Sequence, residues 1–285
     1  MALRLFVSQR TNRHVVKRLN SSVTPATYDS AVFGEWQVLG VDNAHLNYPN
    51  GLAADASNNV YVCDTENSRI VKLNSSMAHV SSYDTSSTIG KPFAIVFYST
   101  NGDLYVVGVK DNLYIRIERL TTAFVSVRAS GNLTSAGMIY GSPTAIVNGF
   151  AAGDFYVAGF NNDIWKTTET TSFSTLINQT ITGESARPYY GMVNHSDGYL
   201  YLNDGRQIKR VDNTFANNGD SDRIAKKISL LSVAVNGDLF IYNNDLQKIS
   251  RYTNKLNFVA DTYLDTGSTV ALDAYDIMGI VEKNI

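Results

Sequence analysis

The sequence predicts an all-β fold assembled from six similar four-stranded units, because three short patterns recur along it in a fixed order. The first is a small residue, an aliphatic residue and alanine or valine, as in Gly51-Leu52-Ala53. The second is apolar, aromatic and aliphatic, as in Val60-Tyr61-Val62, and the third joins aliphatic residues to a basic one, as in Ile70-Val71-Lys72. Helix content is expected to be very low, because no long apolar stripe has a helical period.

The second pattern marks the repeat most clearly. Its aromatic residues are Phe6, Tyr61, Tyr105, Tyr156, Tyr201 and Phe240. Turns rich in Asn, Asp and Gly separate the first pattern from the second and the second from the third, which is typical of antiparallel hairpins. A weaker fourth apolar stretch, such as Phe124-Val125-Ser126-Val127, follows the third pattern. Each unit is therefore predicted to be a four-stranded antiparallel sheet.

Units of this kind, about 40–45 residues long, are typical of β-propeller blades. The second pattern occurs near the N-terminus at Leu5-Phe6-Val7, and the first pattern occurs near the C-terminus at Gly279-Ile280-Val281. If these segments pair, they complete one blade from both ends of the chain and cover its sheet edges. We therefore predict a single domain over residues 1–285. It is a six-bladed β-propeller, whose first blade is shared between residues ~1–45 and ~268–285.

One blade carries a more specific pattern. Its segments are Pro49-Asn50-Gly51-Leu52-Ala53-Ala54-Asp55, Asn58-Asn59-Val60-Tyr61-Val62-Cys63-Asp64 and Asn67-Ser68-Arg69-Ile70-Val71-Lys72. This blade resembles an NHL repeat in its proline, glycine, aspartates, aromatic strand, asparagine and arginine. Pro92, Pro143 and Pro188 keep the proline in other blades, which lack the equivalent of Arg69. The resemblance implies a six-bladed propeller and leaves the activity open, because the fold hosts binding modules, lyases and hydrolases.

The composition excludes several classes of protein. The chain has 285 residues, a formal net charge of -2 and 44% hydrophobic residues, so it is not a disordered chain and has no overall electrostatic signature of nucleic-acid binding. Cys63 is its one cysteine, which excludes an internal disulfide and is expected to be a buried structural thiol. No apolar run approaches the ~20 residues of a membrane-spanning helix, and no signal-peptide pattern is present. We therefore expect synthesis in the cytoplasm and no membrane insertion.

Candidate binding residues lie in the turns after the second pattern and beside the inner strands, on one predicted face of the ring. They are Asp64, Asn67, Asp111, Asn162, Asp163, Asp204, Asp245 and Tyr189. A ring of carboxylates could bind Ca²⁺ through its oxygen atoms. Turn formation is the favoured interpretation, because Asn and Asp hydrogen-bond their own backbone. We accordingly expect no cofactor, with Ca²⁺ as the alternative, and name no catalytic residue.

The histidines do not suggest a metal centre. They are His14, His45, His79 and His195, and they fall in a strand, an inter-blade loop, an outer strand and a turn. A zinc site needs three or four ligands in one cavity. The sequence therefore predicts no shared zinc site.

The favoured function is a non-enzymatic interaction scaffold, because no nucleophile motif, phosphate loop or ligand cluster is visible. Its expected partners are other proteins of a larger assembly, such as a phage or virus particle in which it has a structural or attachment role. A glycan or host-surface ligand is the alternative partner. A metal-dependent propeller lactonase or lyase is the alternative function.

An RNA-binding NHL module is the second alternative function. Two basic groups motivate it: Arg4, Arg10, Arg13, Lys17 and Arg18, and then Lys209, Arg210, Arg223, Lys226 and Lys227. It is disfavoured because these residues alternate along predicted outer strands, where charge protects a sheet. Nucleic acid is therefore not the expected partner.

Overall fold

The computed structural model describes residues 3–9, 14–20, 27–35, 38–133, 143–159, 164–174, 177–182, 189–221, 228–243, 248–263 and 277–284. Within these ranges the chain forms six four-stranded antiparallel sheets, which are the blades of the propeller. The only helices described are 3-10 turns at Thr65–Asn67 and Glu169–Thr171. The predicted all-β, six-bladed fold is confirmed.

The strands are numbered in chain order. Blade 1 contains β1 (Leu3–Gln9), β2 (Val15–Asn20), β3 (Thr27–Phe33) and, from the other end of the chain, β24 (Ile277–Asn284). Blade 2 contains β4 (Pro49–Ala54), β5 (Val60–Asp64), β6 (Arg69–Leu73) and β7 (His79–Asp84). Blade 3 contains β8 (Lys91–Tyr98), β9 (Asp103–Lys110), β10 (Tyr114–Thr121) and β11 (Ser126–Ala129).

Blades 4 to 6 follow the same order from the inner to the outer strand. Blade 4 contains β12 (Pro143–Asn148), β13 (Asp154–Gly159), β14 (Ile164–Thr168) and β15 (Ile177–Gln179). Blade 5 contains β16 (Gly191–Asn194), β17 (Leu200–Asn203), β18 (Ile208–Val211) and β19 (Asn217–Asp220). Blade 6 contains β20 (Ile228–Val233), β21 (Leu239–Asn243), β22 (Lys248–Tyr252) and β23 (Phe258–Tyr263).

The two ends of the chain meet in blade 1. Strands β1 and β24 pair antiparallel, with Phe6 opposite Val281 and Ser8 opposite Gly279. The inner strand β24 also contacts β4 of blade 2 and β20 of blade 6. The remaining inner strands contact one another in chain order, so the six inner strands surround a common axis.

Alternating strand directions place successive turns on opposite faces of the ring. We call the first the connection face. Among the described residues, it carries turns after the second strand of a blade, such as residues 65–68, and segments that join blades, such as residues 85–90. We call the second the hairpin face. It carries the turns after the first and third strands, such as residues 55–59 and 74–78.

Aromatic residues of the second strands fill the space between blades. Tyr61, Tyr105 and Tyr201 are completely buried. Tyr61 meets Phe124 of blade 3 edge-on, with 5.8 Å between the ring centroids. Tyr156 likewise meets Phe215 of blade 5, at 5.2 Å. Each of these aromatic residues therefore packs against a turn of the following blade.

The partner residues occupy one equivalent position, in the turn between the third and fourth strands. They are Met77, Phe124, Phe173, Phe215 and Leu256, and all five have a positive φ. Bulky side chains rarely adopt this backbone conformation. All but Phe124 are buried, and Phe124 is packed against a buried core cluster. Burial in the inter-blade core therefore offsets the local backbone cost.

Polar contacts reinforce this packing on the hairpin face. The Tyr201 hydroxyl lies 2.7 Å from Oδ2 of Asp197 and 2.6 Å from the carbonyl oxygen of Asn254 in blade 6. Two basic residues of third strands pair with an aspartate at the start of the second strand: Arg119 with Asp103 at 2.6 Å, and Lys166, which belongs to the third pattern, with Asp154 at 2.6 Å. Lys72 of the third pattern instead donates to the carbonyl oxygen of Thr122 in blade 3, at 2.9 Å.

Gly51 tests the crowding of the inner strands. A Cβ added there would lie 2.8 Å from Cα of Ala94 and 2.9 Å from the carbonyl oxygen of Phe93, and both are backbone atoms of blade 3. We expect Gly51→Ala to lower the free energy of unfolding by about 1–3 kcal/mol through overpacking, measured by equilibrium urea unfolding. Gly131→Ala is the matched control, because no atom lies within 4 Å of its added Cβ. Equal stability of the two variants would contradict this account.

Candidate binding face

Asp64 ends β5 and is completely buried at the connection face. Its Oδ1 accepts a hydrogen bond from the backbone N–H of Asn47 at 2.6 Å. Its Oδ2 accepts from Nε of Arg69 at 2.6 Å and from Nδ2 of Asn67 at 2.8 Å. Burial raises the pKa of Asp64, and these three donors oppose the rise. The Asp64 carboxylate is enclosed by donors of the protein itself, so it stabilises the fold and is not exposed to bind a ligand.

Arg69 and Asn67 extend this cluster to the segment that joins blades 1 and 2. Both Arg69 Nη atoms donate to backbone carbonyls of that segment. The acceptors are Val41, Asp42 at 2.8 Å and His45 at 2.8 Å. Asn67 donates to the carbonyl oxygen of Gly40 at 2.5 Å. The aspartate, asparagine and arginine of the NHL-like pattern therefore form a clamp on this segment, whose described residues, 34–35 and 38–48, we call the blade 1–2 loop.

The clamped loop presents apolar side chains to solvent. Leu39 is 52% exposed and Val41 is 73% exposed, and Val38 is also exposed. The neighbouring carboxylates of Glu35 and Asp42 are 67% and 63% exposed. Sequence analysis missed this surface. The available signal was the long connection between the end of β3 and the start of β4, because long loops with defined structure are often functional.

The other predicted binding residues lie apart from this clamp. Asp111 is in an exposed turn, 3.9 Å from Nζ of Lys110. Asp204 is buried, and its Oδ1 accepts hydrogen bonds from the backbone N–H groups of Arg206 and Gln207 at 2.9 Å each. Tyr189 is buried in the core between blades 4 and 5. The remaining three, Asn162, Asp163 and Asp245, lie outside the described residues.

The four histidines lie apart from one another, and His14, which the sequence analysis placed in a strand, precedes β2 with a positive φ. His14 is buried beside Tyr48, with ring centroids 5.0 Å apart, whereas His79 contacts Ser82 on the outer strand β7. His195 lies on the hairpin face, with Nε2 2.6 Å from the carbonyl oxygen of Gly237. His45 lies in the blade 1–2 loop. In the part of the chain that the structure describes, no three His, Cys, Asp or Glu side chains are placed to hold a metal ion.

Cys63 is a completely buried thiol, as predicted, and burial raises its pKa.

Of the two basic groups in the sequence, Lys209 lies 3.6 Å from Asp220, and the guanidinium of Arg210 lies 4.7 Å from the ring centroid of Tyr199. Arg10, Arg13, Arg223, Lys226 and Lys227 lie outside the described residues. Among the residues described, no helix is long and apolar enough to cross a lipid bilayer.

The NHL repeat family model matches residues 46–73, which include the Asp64–Asn67–Arg69 clamp. The chain is an NHL-like six-bladed β-propeller. Its fold is similar to virginiamycin B lyase from Staphylococcus aureus, with 16% identity, coverage of 99% of this chain and 92% of the lyase, and a TM-score of 0.64. No curated protein matches the sequence.

Two further solved structures are similar. One is a protein of unknown function from Bacteroides caccae, with 9% identity, complete coverage of both chains (100% and 100%) and a TM-score of 0.74. The other is the WD40 β-propeller domain of Doa1, with 12% identity, coverage of 91% of this chain and 78% of that one, and a TM-score of 0.61. At such low identities these similarities show the fold alone.

The buried pair predicts a large effect of Arg69. We expect Arg69→Met to lower the free energy of unfolding by about 3–5 kcal/mol, because it leaves the carboxylate of Asp64 buried without its cation. Equilibrium urea unfolding measures the change. Lys91→Met is the matched control, because Lys91 pairs with Glu66 on the same face at partly exposed positions and should contribute about 0–1 kcal/mol. Similar losses in both variants would show that the clamp does not depend on burial.

Proposed function

We propose that this NHL-like propeller is a non-enzymatic protein-interaction scaffold whose contact surface is the blade 1–2 loop. The observation that carries the proposal is the clamp: Arg69 donates to three backbone carbonyls of the loop, including that of Val41, and the side chains of Leu39 and Val41 on the same loop are exposed. A loop that is already ordered loses little conformational entropy on binding, which favours affinity.

The surface suggests the chemistry of its partner. Val38, Leu39 and Val41 offer exposed apolar area, and the carboxylates of Glu35 and Asp42 stand beside them. Complementary charge at an interface guides association and selects partners. The fitting partner is therefore a protein segment with apolar side chains flanked by lysine or arginine.

Three finer statements remain predictions within this proposal: membership in a phage or virus particle, a glycan or host-surface ligand, and location in the cytoplasm. The alternative function of a metal-dependent lactonase or lyase is supported by similarity of fold to virginiamycin B lyase. The expectations of no cofactor and of no bound Ca²⁺ also remain predictions.

Selection from a displayed library of random peptides tests the proposed surface. We expect the intact protein to enrich peptides that combine apolar residues with lysine or arginine. Leu39→Asp and Val41→Asp should each weaken binding of a selected synthetic peptide by at least about tenfold, because each puts a charge into the apolar contact. Fluorescence anisotropy of the labelled peptide measures the change.

Val125→Asp is the matched control. Val125 is 60% exposed in a turn of the hairpin face, so the same charge is added on the opposite side of the ring. It should leave peptide binding unchanged. The proposal fails if no peptide is enriched, or if all three aspartate variants bind equally well. Lactone ring opening that depends on an added divalent metal would favour the lyase alternative instead.

A further inference from the structure

The blade 1–2 loop is folded around the imidazole ring of His45. Nδ1 of the ring lies 2.8 Å and 2.9 Å from the two carboxylate oxygens of Asp42, and Nε2 lies 3.2 Å from Oε2 of Glu35. Gly40 packs against the same side chain, because a Cβ added to it would lie 2.7 Å from Cβ of His45. The ring is thus in contact with both arms of the loop.

The two carboxylates define the protonation state that this geometry needs. An ionised carboxylate oxygen can only accept a hydrogen bond, so each ring nitrogen must carry a hydrogen to make both contacts. Only the imidazolium form has two N–H groups. The neutral ring keeps one N–H and must give up its hydrogen bond to either Asp42 or Glu35.

The surrounding charges do not replace this contact. From β6, Arg69 donates to the carbonyl oxygen of His45 at 2.8 Å and pairs with the buried Asp64 of β5. From the 3-10 turn, Glu66 pairs with Lys91 at 2.6 Å. Arg69 therefore secures the base of the loop whatever the state of the ring. The backbone N–H of Val38 also donates to the carbonyl oxygen of Glu35, at 3.2 Å, whatever that state is, whereas the side-chain contact of Glu35 depends on His45.

We propose that protonation of His45 is a latch that orders the blade 1–2 loop, so that its apolar tip is held most firmly at mildly acidic pH and loosens as the ring loses its proton. The latch concerns order within the loop itself. Its consequence for partner binding, tighter association at the lower pH, rests on the proposed function.

The direction of the pH dependence follows from the two pKa values. Hydrogen bonds to Asp42 and to Glu35 raise the pKa of His45 above its ordinary value of 6.5. The latch is therefore complete below pH 6.5 and is lost as pH rises through the raised pKa. Hydrogen bonds from the Ala44 N–H and the His45 ring lower the pKa of Asp42 from 3.8, so its contribution is lost only in stronger acid.

Hydrogen exchange of the intact protein tests the latch without any partner. After correction for the intrinsic pH dependence of exchange, amides of residues 38–46 should exchange about two- to fivefold more slowly at about pH 5.5 than at about pH 8.5, the range typical of one exposed ion pair. His45→Gln should abolish this difference. Glu35→Gln should reduce it and lower the pKa of His45, followed by NMR of the ring protons.

His79→Gln is the matched control. His79 is a partly exposed histidine of β7 that contacts Ser82, outside the loop. This variant should keep the full difference in exchange. The latch is overturned if the wild-type loop exchanges equally at both pH values, or if His45→Gln keeps the difference. If the protein binds peptide but amide exchange of the loop does not change with pH, the latch alone is overturned. If amide exchange changes with pH as expected but no peptide binds, the proposed function alone is overturned.

Discussion

The contact between a second-strand aromatic residue and the last turn of the next blade is the interaction on which the ring depends. A single four-stranded blade cannot bury both of its faces, so it needs a neighbour on each side. Tyr61 with Phe124 joins blades 2 and 3, and Tyr105 with Phe173 joins blades 3 and 4. Because the turn residue has a positive φ, its side chain points back into the core from the very end of the blade.

Several charged residues form ion pairs beside this aromatic contact. Arg119 pairs with Asp103 in its own blade and with Glu169 in the next, and Glu169 accepts a hydrogen bond from the hydroxyl of Tyr105 at 2.7 Å. Arg251 pairs with Asp238 at 2.5 Å in the same way. Arg119 and Arg251 therefore add ion pairs on the hairpin face beside the aromatic packing.

The sequence predicted the fold because strand pattern, turn residues and repeat length all agree. It missed the positive-φ turn residues, because a bulky apolar residue next to a strand has the same sequence signal as a residue of that strand. Phe124 was included in the predicted fourth stretch, for example, yet β11 begins at Ser126.

The Asp64–Arg69 clamp was harder to predict from the sequence for a different reason. The partners of Asp64 include Asn47, and those of Arg69 include Val41, whose proximity depends on how the loop folds back.

A comparison of two inter-blade connections shows what the clamp adds to blade 2. The connection from β7 to β8 is short and closes on itself: Gly90 N–H donates to the carbonyl oxygen of Thr85, and the Thr85 hydroxyl donates to the carbonyl oxygen of Gly90. Gly108 of blade 3 is the equivalent of Asp64 in blade 2, because each lies three residues after the aromatic residue of the second strand. The blade 1–2 loop is longer than the connection from β7 to β8, so more of its backbone carbonyl groups need a hydrogen-bond donor. Arg69 supplies donors to three of them. A buried ion pair contributes little net stability compared with apolar packing, but it can fix one conformation. Here its two members connect the long loop to β5 and β6.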